Sequence, residues 1–379
     1  MGRPRKDEET KAGKLSADDI RAIINKKEGN KIAFNLAEED VTKIRDWIST
    51  GSFLLDLSIV NGQEAGIPAG RFTELAGLEG TGKSYMSAQI MANAQKKGYN
   101  VIFFESEFGS SAQFLEKAGI NLQELTYVPT ITCENVLEHI ESLLGAVSKE
   151  EAAKLFFVWD SLANTPTKAE SELEKIDPTA AVSEKARIMS LGLKKLIMPV
   201  ATSGGVLILN QLKTVIDSSI NMKYATDEQK FFTPGGKSLL YAYSLRVWLT
   251  KPKSKDSFIY NDKGNKIGST VKAKMVKDRF GNEGKVCEFK ILWGEDPPSI
   301  QDEDSWLQIV EKSPHYTGGV WRTLKYENGE IEKFQSGDWK QKLQNQKFRD
   351  RVVFIIREEM LIKGNSLKEE AEDDKGGED

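Results

Sequence analysis

From Ser49 to about Trp293, short apolar runs alternate with stretches of helical period, the pattern of a parallel sheet whose strands are joined through helices. Phe72 to Ala76 runs into a glycine-rich loop. A helix is predicted from Lys83 to Lys97, with Gly98 placed to end it in a left-handed turn. Val101 to Phe104, Leu155 to Trp159 and Gly205 to Leu209 are continuous apolar runs, as strands buried on both faces require. Val182 to Met198 reads as the helix before the last of them, and Leu245, Val247 and Leu249 alternate along a fifth strand. Val271 to Lys277 and Val286 to Leu292 alternate apolar with polar around Phe280-Gly281-Asn282-Glu283-Gly284, which predicts a half-exposed hairpin. The expected fold class is therefore α/β, with a central, mostly parallel sheet.

The flanks read differently. Ser16-Ala-Asp-Asp is a helix cap with acids in the first turn, and Ile20, Ile23 and Ile24 follow at helical spacing. A short helix to about Lys27, a Gly29-Asn30 break and a small extended segment from Lys31 to Leu36 are expected. Asp296-Pro297-Pro298 closes the core, and scattered aromatics after it (Trp306, Tyr316, Trp321, Trp339, Phe348, Phe354) fit a small α+β domain. Four parts result: an arm and oligomerisation segment at 1–48, the core at 49–293, a C-terminal domain at 294–366, and an acidic tail at 367–379 expected to be disordered.

Composition narrows the chemistry. The 379 residues include two cysteines and two histidines, so a zinc site of those residues, a disulfide framework and His-dependent triads are all excluded as leading ideas. That scarcity fits a reducing, cytoplasmic setting. No apolar run approaches a membrane span, and Met1 to Glu8 is charged with no hydrophobic stretch behind it. A net charge of −4 offers no global attraction to nucleic acid. Locally the balance reverses: Lys251 to Lys290 carries eleven basic and five acidic residues.

Gly77-Leu78-Glu79-Gly80-Thr81-Gly82-Lys83-Ser84 matches G-x-x-x-x-G-K-[ST] between a buried strand and a helix, and Tyr85 follows it. Backbone amides of such a loop curl around phosphate, Lys83 neutralises its charge, and the Ser84 hydroxyl is a ligand for Mg²⁺. ATP with Mg²⁺ is the expected ligand. Asp160 ends an apolar strand, where its carboxylate would hold Mg²⁺ through water. Glu105 and Glu107 both end the strand before it, and on spacing alone either one orients an attacking water. Asn210-Gln211 ends another strand at the edge where open α/β folds bind ligands. Lys213 to Pro234 then loses periodicity and holds Lys213, Lys223, Tyr224, Lys230, Phe231 and Phe232 before Gly235-Gly236. Lysines interleaved with aromatics suit single-stranded nucleic acid.

Several segments together resemble the RecA-like recombinase family, most of all its phage branch of UvsX-type strand-exchange proteins. They are Ile48-Ser-Thr-Gly-Ser52 with Leu55-Asp56, the phosphate loop, Phe104-Glu-Ser-Glu107-Phe-Gly109, Asp160-Ser161 with Thr165-Pro166, Leu209-Asn-Gln211, Gly235-Gly236 with Lys237-Ser-Leu239, and Val271 to Phe280. The resemblance spans about Ile48 to Trp293. It implies a RecA-like P-loop ATPase core that forms helical filaments on single-stranded DNA, pairs it with homologous duplex DNA, and works with a single-strand-binding protein and a loader. By position it makes Glu107 the water-activating glutamate, Gln211 the sensor of the γ-phosphate, and Phe114 the ring on the adenine, where the family usually has tyrosine. Lys277 and Arg279 match two lysines that reach the ATP of the adjacent subunit. Thr167 to Glu184 and Lys213 to Pro234 would be the DNA-facing loops, with Phe231 or Phe232 intercalating. A mediator without strand exchange and a hexameric helicase share the fold and remain alternatives.

Three weaker signals sit outside this set. Gly2-Arg3-Pro4-Arg5-Lys6 contains the core of a minor-groove hook but reads more simply as a basic end. Phe34-Asn35-Leu36-Ala37 resembles the Phe-x-x-Ala plug that joins subunits in eukaryotic and archaeal relatives. The Ile20/Ile23/Ile24 face fits packing on a neighbouring subunit as well as on its own core.

Overall fold

The computed structural model describes residues 15–29, 31–60, 63, 65–172, 178–217, 225–251, 257–294 and 296–373. The chain divides into two compact units, Met1–Ile44 and Arg45–Asp379. In the first, α1 (Ala17–Glu28) starts at Ser16, whose side chain caps the Asp19 amide while Asp19 returns a bond to Ser16, and it ends at Gly29 in the left-handed region. No residue of α1 is buried, and Ile20, Ile23 and Ile24 are exposed. The extended segment expected after it forms no strand among the described residues. Instead the Asn25 amide takes the Ile32 and Ala33 amides and donates to the Ala33 carbonyl, so a side chain supplies the partners a ladder would have supplied.

The second unit is built on a ten-stranded sheet. Its strands are β1 (Phe72–Gly77), β2 (Asn100–Glu105), β3 (Leu125–Pro129), β4 (Leu155–Asp160), β5 (Gly205–Gln211), β6 (Tyr243–Thr250), β7 (Phe258–Tyr260), β8 (Lys266–Asp278), β9 (Val286–Leu292) and β10 (Ser299–Gln301). They lie in the order β10-β9-β8-β6-β1-β5-β4-β2-β3, with β7 paired to β8. From β6 to β3 the pairing is parallel, and from β6 to β10 it is antiparallel. The expected α/β class and the central parallel sheet are thus present. The edge strand β3 has no counterpart in the sequence expectation, because Leu-Thr-Tyr-Val-Pro is half exposed and carries no continuous apolar run.

Helices α3 (Lys83–Lys96), α5 (Cys133–Ala146) and α6 (Pro178–Ala201) cover the parallel part. One core cluster joins α3 to Phe103, Phe156, Leu207 and Val247, and a second, on the opposite face, joins α5 and α6 to Phe104, Phe157, Trp159 and Ile208. Alternation along β2 and β4 divides these side chains between the two faces.

The region after 294 is continuous with the core. β10 extends the large sheet by pairing with β9. Asp302 ties two elements together, accepting from the Ser52 hydroxyl and the Leu54 amide at the start of α2 (Phe53–Ile59) and from the indole of Trp306 in α8 (Glu303–Val310), each at 2.8 Å. A small antiparallel sheet of β11 (Tyr316–Thr317), β12 (Arg322–Lys325) and β13 (Ile331–Phe334) packs through Phe334, Trp339 and Phe348. α9 (Gln346–Asp373) continues past 366, where composition suggested the end of regular structure; its Lys-Glu-Glu-Ala-Glu run has good helix propensity. Residues 374–379 of the acidic tail and the Gly2–Lys6 arm lie outside the described residues. No described helix is long and apolar enough to cross a membrane.

Asp56 of α2 is buried against the Ser49 hydroxyl (2.5 Å) and the Thr50 amide and hydroxyl (2.9 and 2.6 Å). Burial outweighs these bonds and, with Asp302 nearby, pushes its carboxyl up to about 7. A carboxyl raised in the folded state costs nothing while protonated in both states. Its penalty therefore grows as pH rises from about 4 to about 7. Stability in urea should fall across that window, and Asp56→Asn, which retains an acceptor, should flatten the fall by roughly 1–3 kcal/mol. An unchanged slope in urea midpoints at acid and neutral pH would reject the assignment.

Candidate nucleotide and nucleic-acid site

Four neighbouring parallel strands bring their carboxyl ends to one edge. Gly77 of β1 is in register with Gln211 of β5, and Asp160 of β4 with Glu105 of β2. The loop after β1 closes on itself: the Thr81 hydroxyl donates to the Leu78 carbonyl at 2.7 Å, and Lys83 Nζ donates to the carbonyls of Gly77 (3.1 Å) and Leu78 (3.0 Å). Gly82 starts α3 at φ 80°, a conformation that favours glycine, and a Cβ there would meet only the movable end of Ile291. No side chain caps this helix, which leaves its first amides directed at the loop.

Charge converges at the same edge. Burial lowers the Lys83 pKa, against the pull of Asp160, Glu107 and Glu79. Burial, reinforced by Glu107 and Glu105, pushes the Asp160 carboxyl up to about 7, against Lys83 and a hydrogen bond from Ser84. A hydroxyl and a carboxylate in contact at the end of a phosphate loop are the hard oxygen donors Mg²⁺ takes alongside phosphate oxygens, so Ser84 and Asp160 fit that ion. Among the described residues no cluster of three or more His, Cys, Asp or Glu offers an all-protein metal cage.

The two glutamates separate cleanly. Glu105 is buried and used up: Oε1 accepts from the Gly109 and Ser110 amides at 2.7 and 2.9 Å, and Oε2 from the Tyr127 hydroxyl at 2.7 Å. Glu107 reaches across to β4's end, where its Oε1 accepts from the Ser161 hydroxyl at 2.6 Å and the Asn164 amide at 2.5 Å. Asn164 and Tyr127 carried no sequence signal and Ser161 entered only as the neighbour of Asp160, since their partners are far away along the chain. Phe114, on α4 (Ala112–Lys117), meets Tyr85 edge-on at 6.3 Å, and the Tyr85 hydroxyl is anchored on the Pro298 carbonyl at 2.5 Å.

Asn210 corrects one expectation. It does not face the ligand edge with Gln211: it is fully buried, donating to Glu74 and to the Pro234 carbonyl, both at 3.0 Å. Side chains alternate along a strand, so adjacent amides cannot both point out.

The stem of the Lys213–Pro234 loop is a small ladder, Lys213 with Phe232 and Thr214 with Phe231, and the Lys230 carbonyl takes the Val215 amide. Phe231 turns inward onto Leu212, Ala76 and Trp248, whereas Phe232 is exposed. Lys223 and Tyr224 lie outside the described residues. Gly235 and Gly236 follow, both with positive φ, and Gly236 caps α7 (Lys237–Ala242). Lys272 and Lys274 of the basic segment pair with Asp227 and Glu228 of the loop at 3.4 and 2.6 Å, so part of that positive charge is already matched. The other expected loop is mostly helical, with a short helix at Lys168–Glu172 and α6 beginning at Pro178; residues 173–177 lie outside the described residues.

Lys277 and Arg279 are not at this edge. Lys277 is level with Arg246 and Glu74, three residues and roughly 10 Å back along the strands from Gly77. Lys277 donates to the Leu240 carbonyl and Arg279 to the Tyr241 carbonyl at 2.8 Å, both at the end of α7. Burial, with Arg279 and Arg246 beside it, lowers the Lys277 pKa.

The fold and loop define a P-loop α/β protein. The family model for the RecA N-terminal domain matches residues 17–297. RecA of Campylobacter hominis is 31% identical over 358 residues, spanning 93% of each chain, and RecA of Bacillus mycoides is 29% identical over 357 residues, spanning 92% of this chain and 94% of its own. RecA of Rickettsia massiliae is 30% identical over 282 residues. The chain belongs to the RecA family.

Proposed function

We propose that the protein is a DNA-dependent ATPase and homologous recombinase of the phage UvsX type, which polymerises on single-stranded DNA and exchanges strands with a homologous duplex. The observation that carries this is the edge where the phosphate loop, Gln211, Asp160 and Glu107 meet beside the stem of a lysine- and aromatic-bearing loop. Family membership supports the recombinase class, and the joint order of the motifs supports the phage branch.

In this reading Gly77 to Ser84 cradle the phosphates of ATP, with Tyr85 and Phe114 toward the base. Ser84 and Asp160 would hold Mg²⁺, which when bound would neutralise phosphate charge. Glu107 has its Oε1 fixed by Ser161 and Asn164, which leaves Oε2 to accept the proton of the attacking water. Lys83 stabilises the charge of the transferring group, and Gln211 responds to the γ-phosphate. Lys277 and Arg279, set back from their own phosphate loop, serve the nucleotide of an adjacent subunit, so assembly completes the site. The exposed isoleucines of α1 supply a surface for that assembly. Lys213, Lys230 and Phe232, with Lys223, Tyr224, Gly235 and Gly236, form the DNA-facing loop, and a single-strand-binding protein and a loader are the expected partners.

The test is strand exchange between a circular single strand and its linear duplex with ATP and Mg²⁺, alongside negative-stain microscopy. Joint molecules and helical filaments are expected. Closed rings would instead favour a helicase, and DNA-bound small particles a mediator.

The two phenylalanines should behave oppositely. Phe232→Ala is expected to leave thermal stability unchanged and weaken single-strand binding about tenfold, the loss of one stacked base. Phe231→Ala should cost roughly 1–3 kcal/mol of stability through the space it leaves against Trp248. Titration of a labelled oligonucleotide with parallel melting curves checks both, and equal binding losses would undo the distinction.

A further inference from the structure

The basic segment that begins at Lys251 starts beside the phosphate loop. Leu249 of β6 is in register with Gly77, and its carbonyl accepts from the Leu78 amide at 3.2 Å. Gly77 permits this approach, because a Cβ on it would stand 2.9 Å from the same carbonyl oxygen. The chain leaving β6 therefore runs along the loop. Two residues on, the half-buried Lys251 places its Nζ 3.5 Å from where a Cβ of Gly80 would be. Gly80 is the midpoint of the loop and has φ 65°, so the ammonium borders the space into which a side chain at that midpoint would project. The same Nζ lies 5.0 Å from the ring centre of Phe258 in β7, and Lys266 is over that ring too.

Lys251 differs from its neighbours in the segment by having no acid. Lys272, Lys274 and Lys290 are matched by Asp227, Glu228 and Asp304. Among the described residues no carboxylate lies within ion-pair distance of Lys251. The Phe258 ring attracts the ammonium but does not neutralise it. A cation held unmatched against a phosphate loop is suited to an anionic ligand. We propose that Lys251 is a further nucleotide-binding residue, which grips the polyphosphate of ATP and ADP from the β6 side of the loop while Lys83 grips it from α3. The proposal rests on the ATP-binding reading above. Lysine carries a compact charge on a flexible four-carbon stem, and Gly80 puts no side chain in its path. Because it holds charge that both nucleotides carry, it adds affinity without favouring the transition state.

Three variants test this. Lys251→Met keeps an apolar stem on Phe258 and removes the charge, Lys251→Arg restores a charge, and Lys266→Met removes the other cation from the same ring. Affinities for fluorescent ADP and for a fluorescent non-hydrolysable ATP analogue are measured at low and high salt. Melting curves, DNA-stimulated turnover and nucleotide-free affinity for an oligo-dT single strand accompany them. Lys251→Met should weaken both nucleotides about tenfold at low salt and less at high salt. It should raise KM for ATP by a similar factor while kcat stays within about twofold. Lys251→Arg should return affinity to within about threefold of the parent, and Lys266→Met should leave it within about twofold. Unchanged nucleotide affinity in Lys251→Met overturns the proposal, and a loss of DNA affinity in its place makes Lys251 a DNA contact. An equal loss in Lys266→Met also overturns it, since the cause is then the field of the whole segment. Arginine as weak as methionine assigns the loss to packing and rejects the contact. A parent protein that binds neither nucleotide overturns the functional reading, and the proposal with it.

Discussion

Lys83→Ala is expected to weaken ATP binding by on the order of 10²–10³-fold and to abolish measurable turnover. Its ammonium is mostly buried, donates to the Gly77 and Leu78 carbonyls, and faces Asp160, Glu107 and Glu79. In the complex, removing the ammonium leaves the desolvated phosphate charge without its ionic partner, a cost of about 3–5 kcal/mol, which converts to that range of affinity. The variant should still fold, because Lys83 anchors a loop rather than the core. Titration with a fluorescent ATP analogue, with a melting curve as control, measures the effect. Binding within tenfold of the parent would show that backbone amides and the helix terminus alone hold the phosphates.

Glu107→Gln should separate binding from chemistry. The amide oxygen of glutamine still accepts from Ser161 and Asn164, so the side chain keeps its place, while the proton acceptor is gone. Nucleotide affinity is expected to stay within about threefold and DNA-stimulated turnover to fall about 10²–10⁴-fold, the usual share of a general base. Filaments on single-stranded DNA should then persist, since hydrolysis no longer produces the weakly held ADP state. Glu105→Gln is the control: its carboxylate is occupied by Gly109, Ser110 and Tyr127, so its loss should appear in stability before turnover. Unchanged turnover in Glu107→Gln would remove Glu107 from the mechanism.

Local signals carried much of this protein. Apolar runs located β1, β2, β4 and β5 to within a residue or two, because strands buried on both faces need unbroken apolar sequence. The phosphate loop was legible for the same reason: its glycines, lysine and serine act on a ligand through neighbouring backbone. Glu105 and Glu107, Asn210 and Gln211, and Phe231 and Phe232 look alike along the chain, and the family resemblance named Glu107 and Gln211 without a physical reason. The tertiary structure supplies it: distant partners, Tyr127, Glu74 and Trp248, hold Glu105, Asn210 and Phe231 in the interior and leave the other member of each pair at the edge. Lys277 and Arg279 show the same limit at larger scale. Their spacing resembles that of the family, but only strand register places them roughly 10 Å back from their own phosphate loop, because register is a property of paired strands and is written in neither strand alone.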